Sequence, residues 1–582
     1  MQSKRVVIIG AVALGPKVAC RLKRLRPDFE VTMVDQGEYI SYGGCGIPYY
    51  ISGDLSDIKE LMSTSFHMLR TPEFFDGAKD VRVRTRTRAL AIDRDQKLVR
   101  LRDLESGREE DLPYDELVLA TGSRPRPLPV PGADLPGVMS VANLSAAMAV
   151  RDRIAKGEVG RVVIIGAGAI GVEMAEAVSD LWGLTTTLVE VTPQVLPDFL
   201  EPGLARMVAR HLRDKDIALH LAATVREIRP HAGDDHALEV VTGQEILPAD
   251  LVITAVGAIP NTELARQAGL LVSPDGGIIV NRRLQTSDPH IYAGGDCIDN
   301  HHLITGKSAY FPSGSLANRQ GRVIGTNLAG GSATFNGIVG SFTLKTFEMA
   351  IAGAGLNLAA ALREGFDAVA ALVIQADRAH FYPTQDLMYL HLVVDKKTRR
   401  LLGAQGLSHN GDALVGRINS IAALLPFKAD LSDLSNLEVA FATPFAAALD
   451  IVNAVANTLE NILDGYNRTI EVAEFEQCSL TDQAGDTICL DVRGAANAAP
   501  YIDLFGHRWL NIPQETLKHR FQEIPPDKRL LVVCNSGVRS YEALRQLETA
   551  GLTNAVNLQG GLAALKKSGA LDLKDSDEPS KY

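Results

Sequence analysis

Two thiols in this chain stand in settings that could do sulfur chemistry. Cys45 lies between glycines in the run SYGGCGIPYY (residues 41–50), where a small-residue loop or helix start can bring backbone against a flat ring. A thiolate there would gain from local N–H groups and from charge transfer with a flavin. Cys534 opens the run CNSGVRS at the end of the apolar stretch RLLVVC. Successive backbone N–H groups together with Arg539 would make a cationic nest, which favours a thiolate and stabilises a persulfide built on it. Four residues lie between Cys534 and Arg539, a loop that suits a single sulfur atom. The remaining cysteines, Cys20, Cys297, Cys478 and Cys489, fall inside helix or strand patterns with no adjacent base, so packing is expected of each. The 13 histidines show no metal-ligand spacing, and no metal is expected.

The elements that must position Cys45 come from an internal repetition. Lys4 to Asp35 and Arg161 to Glu190 share one plan of apolar strand, glycine turn, helix, and second strand ending in an acid. In GAGAIG, Gly166 permits the tight turn, Gly168 lets the backbone reach a pyrophosphate, and Gly171 allows close helix packing. The helix N-terminus then offers unpaired N–H groups to the phosphate, and Glu190 can accept from a ribose 2′-hydroxyl. A carboxylate at 190 repels a 2′-phosphate and no arginine follows closely, so NADH is expected to bind better than NADPH. The first turn, GAVALG from Gly10 to Gly15, has Val12 where the middle glycine would be, and Asp35 with the later Asp296 supports it as a second nucleotide site.

Length and composition set the frame around these motifs. A chain of 582 residues exceeds one hydrophobic core, so three or four domains are expected. Apolar residues at 46% and charged residues at 22% exclude wholesale disorder. A net charge of −11 with no basic run removes the attraction that nucleic-acid binding needs, and small-molecule chemistry is expected instead. No stretch approaches the roughly 20 apolar residues of a membrane span, and a cytoplasmic protein is expected. From about 330 to 455 strands give way to alanine- and leucine-rich helices, an α+β pattern; from about 476 a further α/β unit begins at ICLDVRG.

Residues 1 to 455 resemble the single-cysteine branch of the FAD-dependent pyridine nucleotide-disulfide oxidoreductases, which includes coenzyme A-disulfide reductases and NADH oxidase and peroxidase relatives. The resemblance is carried by GAVALG, SYGGCGIPYY, ATGSRP, GAGAIGVE, AVGAIPNTELA, TSDPHIYAGGD and LANRQGR. It implies an α/β fold with a discontinuous FAD domain (1–115 and 250–328), an NAD(P) domain (116–249) and an α+β dimerisation domain (329–463), hence a homodimer. By the same resemblance Gly10, Ala11, Gly15, Asp35, Thr121, Gly122 and Asp296 would hold FAD. Gly166, Gly168, Ile170, Gly171, Glu190 and Gly257 would hold NADH, with NADPH as the second choice. Cys45 would be the redox-active nucleophile, and with no second cysteine five residues away it cannot form a local disulfide. A sulfur substrate must supply the partner sulfur.

The peroxidase and oxidase relatives carry a histidine in the first glycine turn where this chain has Ala13, which argues against peroxide or oxygen as substrate. In the coenzyme A-disulfide branch the ligand is gripped by a basic residue on the first helix, a serine and an asparagine before the cysteine, and tyrosines of the partner subunit. Arg21, Arg24, Ser41 and Tyr382 match that pattern, whereas Gly44 and Phe441 each replace a polar group. Residues 476–570, through LDVRG, GHRWLNIP, CNSGVRS and NLQGG, resemble a rhodanese domain, with 464–475 read as a linker and 571–582 as a disordered tail. The joint expectation is an NAD(P)H-dependent, FAD-containing persulfide or polysulfide reductase, coenzyme A persulfide included, that releases hydrogen sulfide. Coenzyme A would serve as ligand or carrier, and Cys534 with Arg539 would handle sulfane sulfur. A coenzyme A-disulfide reductase is the alternative within this class; a non-reductive sulfurtransferase or sulfur sensor is the alternative outside it.

Overall fold

The apolar strands of the two repeats form the centres of two parallel sheets in a computed structural model, which describes residues 3–232, 234–479 and 486–570. The expected tail at 571–582 lies outside the described residues. The chain divides into two compact units, Met1–Val191 with His220–Ile338, and Thr192–Leu219 with Val339–Tyr582.

In the first unit, strand Arg5–Ile9 runs parallel to Glu30–Val34 on one side and to Glu116–Leu119 on the other. The outer strands are Arg82–Arg84 and Ile291–Ala293. Val6, Val7, Ile8 and Ile9 are all buried, as expected of a run covered on both faces. Each such side chain stabilises the fold by roughly 1.5–3 kcal/mol, so the strand is a rigid base for the turn that follows it. Arg161–Ile165 repeats the arrangement between Thr185–Val189 and Leu251–Thr254. The expected domain borders shift accordingly: Glu116–Leu119 belongs to the first sheet and Leu251–Thr254 to the second. Buried apolar runs of one composition cannot say which sheet they join; register with their neighbours does.

In the second unit, an antiparallel sheet runs in the order Phe342–Thr346, Met349–Gly355, Leu401–Ser408, Leu387–Asp395, Ala368–Ala376. Helices Gly411–Leu424 and Ile451–Leu463 pack on it. The second helix starts at Ile451, where the Asp450 side chain accepts from the Val452 N–H and caps it. A C-terminal parallel sheet follows in the order Thr469–Ile470, Ala555–Leu558, Arg529–Val533, Thr487–Asp491, Trp509–Asn511. The stretch 464–475 is therefore no simple linker. Thr469 and Ile470 pair with Asn557 and Leu558, Ile470 is buried, and Val472–Ser479 is helical.

Candidate functional site

Cys45 sits in a 3-10 turn, Gly44–Gly46, that leads into helix Ile47–Ser52 with Pro48 in its first turn. A Cβ on Gly46 would meet the end of the Leu61 side chain, which would have to shift to admit it. Ser41, buried and at a positive φ of 50°, donates its N–H to Ala11 O at 2.7 Å and ties the cysteine segment to the first glycine turn. Cys45 is exposed as a residue, while its sulfur faces Gly314 at the start of helix Gly314–Leu328.

Burial at the sulfur pushes the Cys45 thiol up, and the carboxylates of Glu173 and Asp296 push the same way; the N–H groups of Cys45 and Gly314 pull it down. Local N–H groups do favour the thiolate, as expected, but burial and the two carboxylates outweigh them. Glu173, on helix Ala169–Ser179, is raised to about 7 by burial first and Glu176 second. Sequence reasoning missed this residue, although it stands two positions after Gly171 in the second turn. Asp296 is pushed up by burial, against bonds from the Ser313 N–H and the Ser123 hydroxyl. Its Oδ1 accepts from Ser313 at 3.1 Å, which sets a carboxylate at the same helix start that faces Cys45.

The two glycine turns fit nucleotides. Gly10 and Gly166 take φ of 111° and 105°, and a side chain there would strike Ala120 O and Ala255 O. Gly15 and Gly171 pack against Gly10 O and Gly166 O. Gly168 faces open space, with room for a phosphate to approach the backbone, and Ile170 beside it is an exposed apolar side chain. Asp35 accepts from the Ala11 N–H at 2.7 Å and the Gly37 N–H at 2.8 Å, and burial raises it. Glu190 repeats the bond, accepting from the Ala167 N–H at 2.7 Å. Each terminal acid thus spends one oxygen on shaping its own turn.

Strands Ser123–Pro125 and Ala258–Pro260 pair antiparallel as a two-stranded sheet of their own. There the Thr121 hydroxyl donates to Asn261 O at 2.6 Å, the Asn261 N–H donates to Gly122 O at 2.9 Å, and the Arg126 N–H donates to Gly257 O at 2.9 Å.

The second sulfur site is built differently. Cys534 follows strand Arg529–Val533 and is buried; its Sγ accepts from the Gly537 N–H at 3.1 Å. Helix Val538–Thr549 begins at once, so its first N–H groups face the loop without helical partners. The Cys534 and Asn535 carbonyls accept from the Leu562 and Ala563 N–H groups, which holds the loop open. Gly561 lies so close to Cys534 O that no side chain fits. Arg539 is half-buried, and no carboxylate pairs with it among the described residues.

The pyridine nucleotide-disulphide oxidoreductase family matches over residues 4–320, its dimerisation domain over 341–449, and a rhodanese-like domain over 484–568. The chain belongs to this oxidoreductase family. It is 34% identical over 457 residues to the NAD(P)H coenzyme A polysulfide/persulfide reductase of Pyrococcus horikoshii, spanning 78% of this chain and 98% of that one. The NAD-dependent persulfide reductase from A. fulgidus is similar with a TM-score of 0.90 at 36% identity, over 96% of this chain and 99% of that one. The reduced Bacillus anthracis CoADR-RHD follows with a TM-score of 0.88 at 29% identity, over 98% of each chain.

In this oxidoreductase the residues expected to grip coenzyme A divide into two groups. Arg21 Nε donates to Thr326 Oγ1 on helix Gly314–Leu328 at 3.0 Å, and Arg24 Nε donates to Cys20 O on its own helix at 3.0 Å, so both guanidinium groups are partly engaged. Tyr382 and Phe441 lie on two loops of the second unit that the Ala379 N–H joins to Thr443 O, at 3.4 Å. Arg417 holds both loops, donating to Asp377 O and Phe445 O at 3.1 Å and to Asp450 at 2.8 Å. Phe381, Phe441, Phe445 and Leu449 stand exposed there. Cys297 and Cys489 are buried, Cys20 and Cys478 half-buried. No metal-holding cluster occurs among the described residues, and no helix among them is long and apolar enough to cross a membrane.

Proposed function

We propose that this oxidoreductase reduces persulfide and polysulfide sulfur, coenzyme A persulfide included, with electrons from NADH, and releases hydrogen sulfide. The observation that carries this reading is a lone thiol, Cys45, set beside a nucleotide turn, on a chain that also holds a sulfur-cradling loop at Cys534. The nucleotide relatives point to FAD and NAD(P)H, with coenzyme A as carrier. Gly10, Ala11, Gly15, Asp35, Thr121, Gly122 and Asp296 hold FAD; Gly166, Gly168, Ile170, Gly171, Glu190 and Gly257 hold the nicotinamide nucleotide. When bound, FAD accepts a hydride from NADH and delivers two electrons to sulfur.

Cys45 as thiolate attacks the outer sulfur of R–S–SH, forming Cys45–S–SH and releasing R–S⁻. Two electrons then cleave that S–S bond, HS⁻ departs, and the Cys45 thiolate is restored. Glu173 and Asp296 disfavour a second negative charge at the cysteine, which pushes HS⁻ out. Cys534 accepts or presents sulfane sulfur, with Arg539 matching the charge of its outer atom. Two copies of the chain form the working enzyme: the exposed aromatic loops at Tyr382 and Phe441 face a second subunit, and Tyr382, with Arg21, Arg24, Ser41 and Gly44, lines the carrier's path.

NADH oxidation is to be measured on inorganic polysulfide, on coenzyme A persulfide and on coenzyme A disulfide. Faster turnover on the persulfides supports the reading, and a strong preference for the disulfide overturns it. Loss of polysulfide-driven NADH oxidation in C45S separates it from a non-reductive sulfurtransferase.

A further inference from the structure

The loop around Cys534 contains a hydroxyl that cannot serve both of its neighbours. Ser540 Oγ lies 2.6 Å from Asn557 Oδ1 and 3.2 Å from Cys534 Sγ. A hydroxyl carries one hydrogen, and it can point fully at only one of them. Asn557 decides which. Its side-chain nitrogen lies 3.0 Å from Gly537 O and 3.2 Å from Asn467 Oδ1. A peptide carbonyl only accepts, so the amide nitrogen must face Gly537 and the amide oxygen must face Ser540. That oxygen also only accepts, and the Ser540 hydrogen is therefore drawn to Asn557. What Ser540 turns toward Cys534 is a lone pair. Cys534, Ser540, Asn557 and Asn467 are 1%, 0%, 3% and 4% exposed, so water does not replace either bond.

We propose that Asn557 is a positioning residue that fixes the Ser540 hydroxyl as an acceptor toward Cys534, so that Ser540 can take a hydrogen bond from the Cys534 S–H and gives none to the sulfur, whose own donor is the Gly537 N–H. The inference rests on Cys534 being the sulfur carrier. The thiolate is the form that alkylating and oxidising agents attack, and it receives no hydrogen bond from Ser540. An anionic sulfur donor changes the balance: R–S–S⁻ and Cys534–SH give Cys534–S–S⁻ and R–SH. The donor's S–S bond breaks, a new S–S bond forms on Cys534, the thiol proton passes to the departing thiolate, and no net oxidation occurs. The inner sulfur then has no hydrogen to give Ser540, and the charge sits on the outer atom, which suits the first N–H groups of helix Val538–Thr549.

The orientation is read directly from the S–H stretching band of Cys534 in the full-length flavin-loaded enzyme, isolated by subtracting the infrared spectrum of C534S. The S–H band is expected to be displaced to lower wavenumber by donation to Ser540, and S540A is expected to move it back up. A band that S540A leaves in place overturns the proposal. The second measurement is the rate at which iodoacetamide labels Cys534, followed by peptide mass spectrometry. N557A frees the hydroxyl to turn toward the sulfur and should raise the rate about tenfold, the worth of one hydrogen bond to a charged group. In an S540A background the same change should add nothing. Equal gains in both backgrounds, or no gain in N557A whose melting curve shows it folded, overturn the proposal; if N557A does not fold, the S–H band decides. Exposure to inorganic polysulfide tests the underlying reading separately: a Cys534 peptide that never gains a sulfur atom sinks the carrier role, whichever way the hydroxyl points.

Discussion

Cys45 and Cys534 carry the same side chain in settings that differ in nearly every physical respect. Cys45 is exposed on a three-residue turn, with two carboxylates acting against its negative charge. Cys534 is buried, its sulfur accepts a backbone N–H, and the loop behind it is pinned by Gly561 and by two amides of the following segment. A thiol that must meet an incoming molecule and then expel its product gains from openness and from repulsion of charge. A thiol that must keep one sulfur atom in transit gains from donors already aimed at it. The carboxylates belong with turnover, the loop with retention.

The largest effect that can break this division is removal of each sulfur. C45S is expected to lower NADH-driven sulfide release by a factor on the order of 10³ or more, since no other cysteine of the first unit is exposed. C534S is expected to keep most of that activity with dissolved polysulfide and to lose sulfur transfer to an acceptor such as cyanide. If C534S loses both, Cys45 works only on sulfur handed over by Cys534, and the two sites are one machine.

Next in size come the glycines that hold the two loops. G561A forces a side chain against Cys534 O at a φ of 56°, and G10A forces one against Ala120 O at a φ of 111°. Each should destabilise its own unit by roughly 2–4 kcal/mol, read as loss of hydrogen-exchange protection in that unit. G561A should abolish sulfur loading of Cys534 while flavin content stays normal, and G10A should do the reverse. G168A is the control: it meets nothing within 4 Å, so the fold should change by less than about 1 kcal/mol while NADH binding weakens. A fold-breaking G168A would show that the open space beside it is not where the nucleotide phosphate approaches.

Much of this arrangement is legible in the residues themselves. The repeated strand, glycine turn and acid locate both turns because their physics is local: a positive φ, a helix start, a carboxylate within reach. The Cys534 loop is legible for the same reason. What escapes the sequence is long-range or ambiguous in composition. Nothing near Cys45 in the chain announces Glu173, which reaches it only through the packing of helix Ile47–Ser52 against helix Ala169–Ser179. Thr469 and Ile470 look like connector residues until their pairing with Asn557 and Leu558 is seen. Asp35 and Glu190 announce ribose contacts, while their bonds to Ala11 and Ala167 show that they also build the turns.

The smallest effect separates the two units by pH. Glu173, raised to about 7, stays protonated in the folded first unit after the unfolded chain has released its proton near 4.5. Stability there is therefore lost as pH rises from about 4.5 to 7. His391, in strand Leu387–Asp395, is wholly buried with no partner at Nδ1 among the described residues, and burial pushes it down to about 4. It remains neutral in the fold while the unfolded chain takes a proton near 6.5, so the second unit loses stability as pH falls from about 6.5 to 4. Each effect is bounded near 3 kcal/mol and is expected to reach about 2 kcal/mol after relaxation. Hydrogen exchange, corrected for its intrinsic pH dependence, should show E173Q flattening the first trend in helix Ala169–Ser179 and H391L flattening the second in strand Leu387–Asp395. E173Q should also ease ionisation of Cys45, bringing its alkylation to a lower pH, because one of the two carboxylates that oppose the thiolate is gone. An unmoved alkylation profile in E173Q would mean that the charge repulsion assigned to the turnover site is not felt by its sulfur.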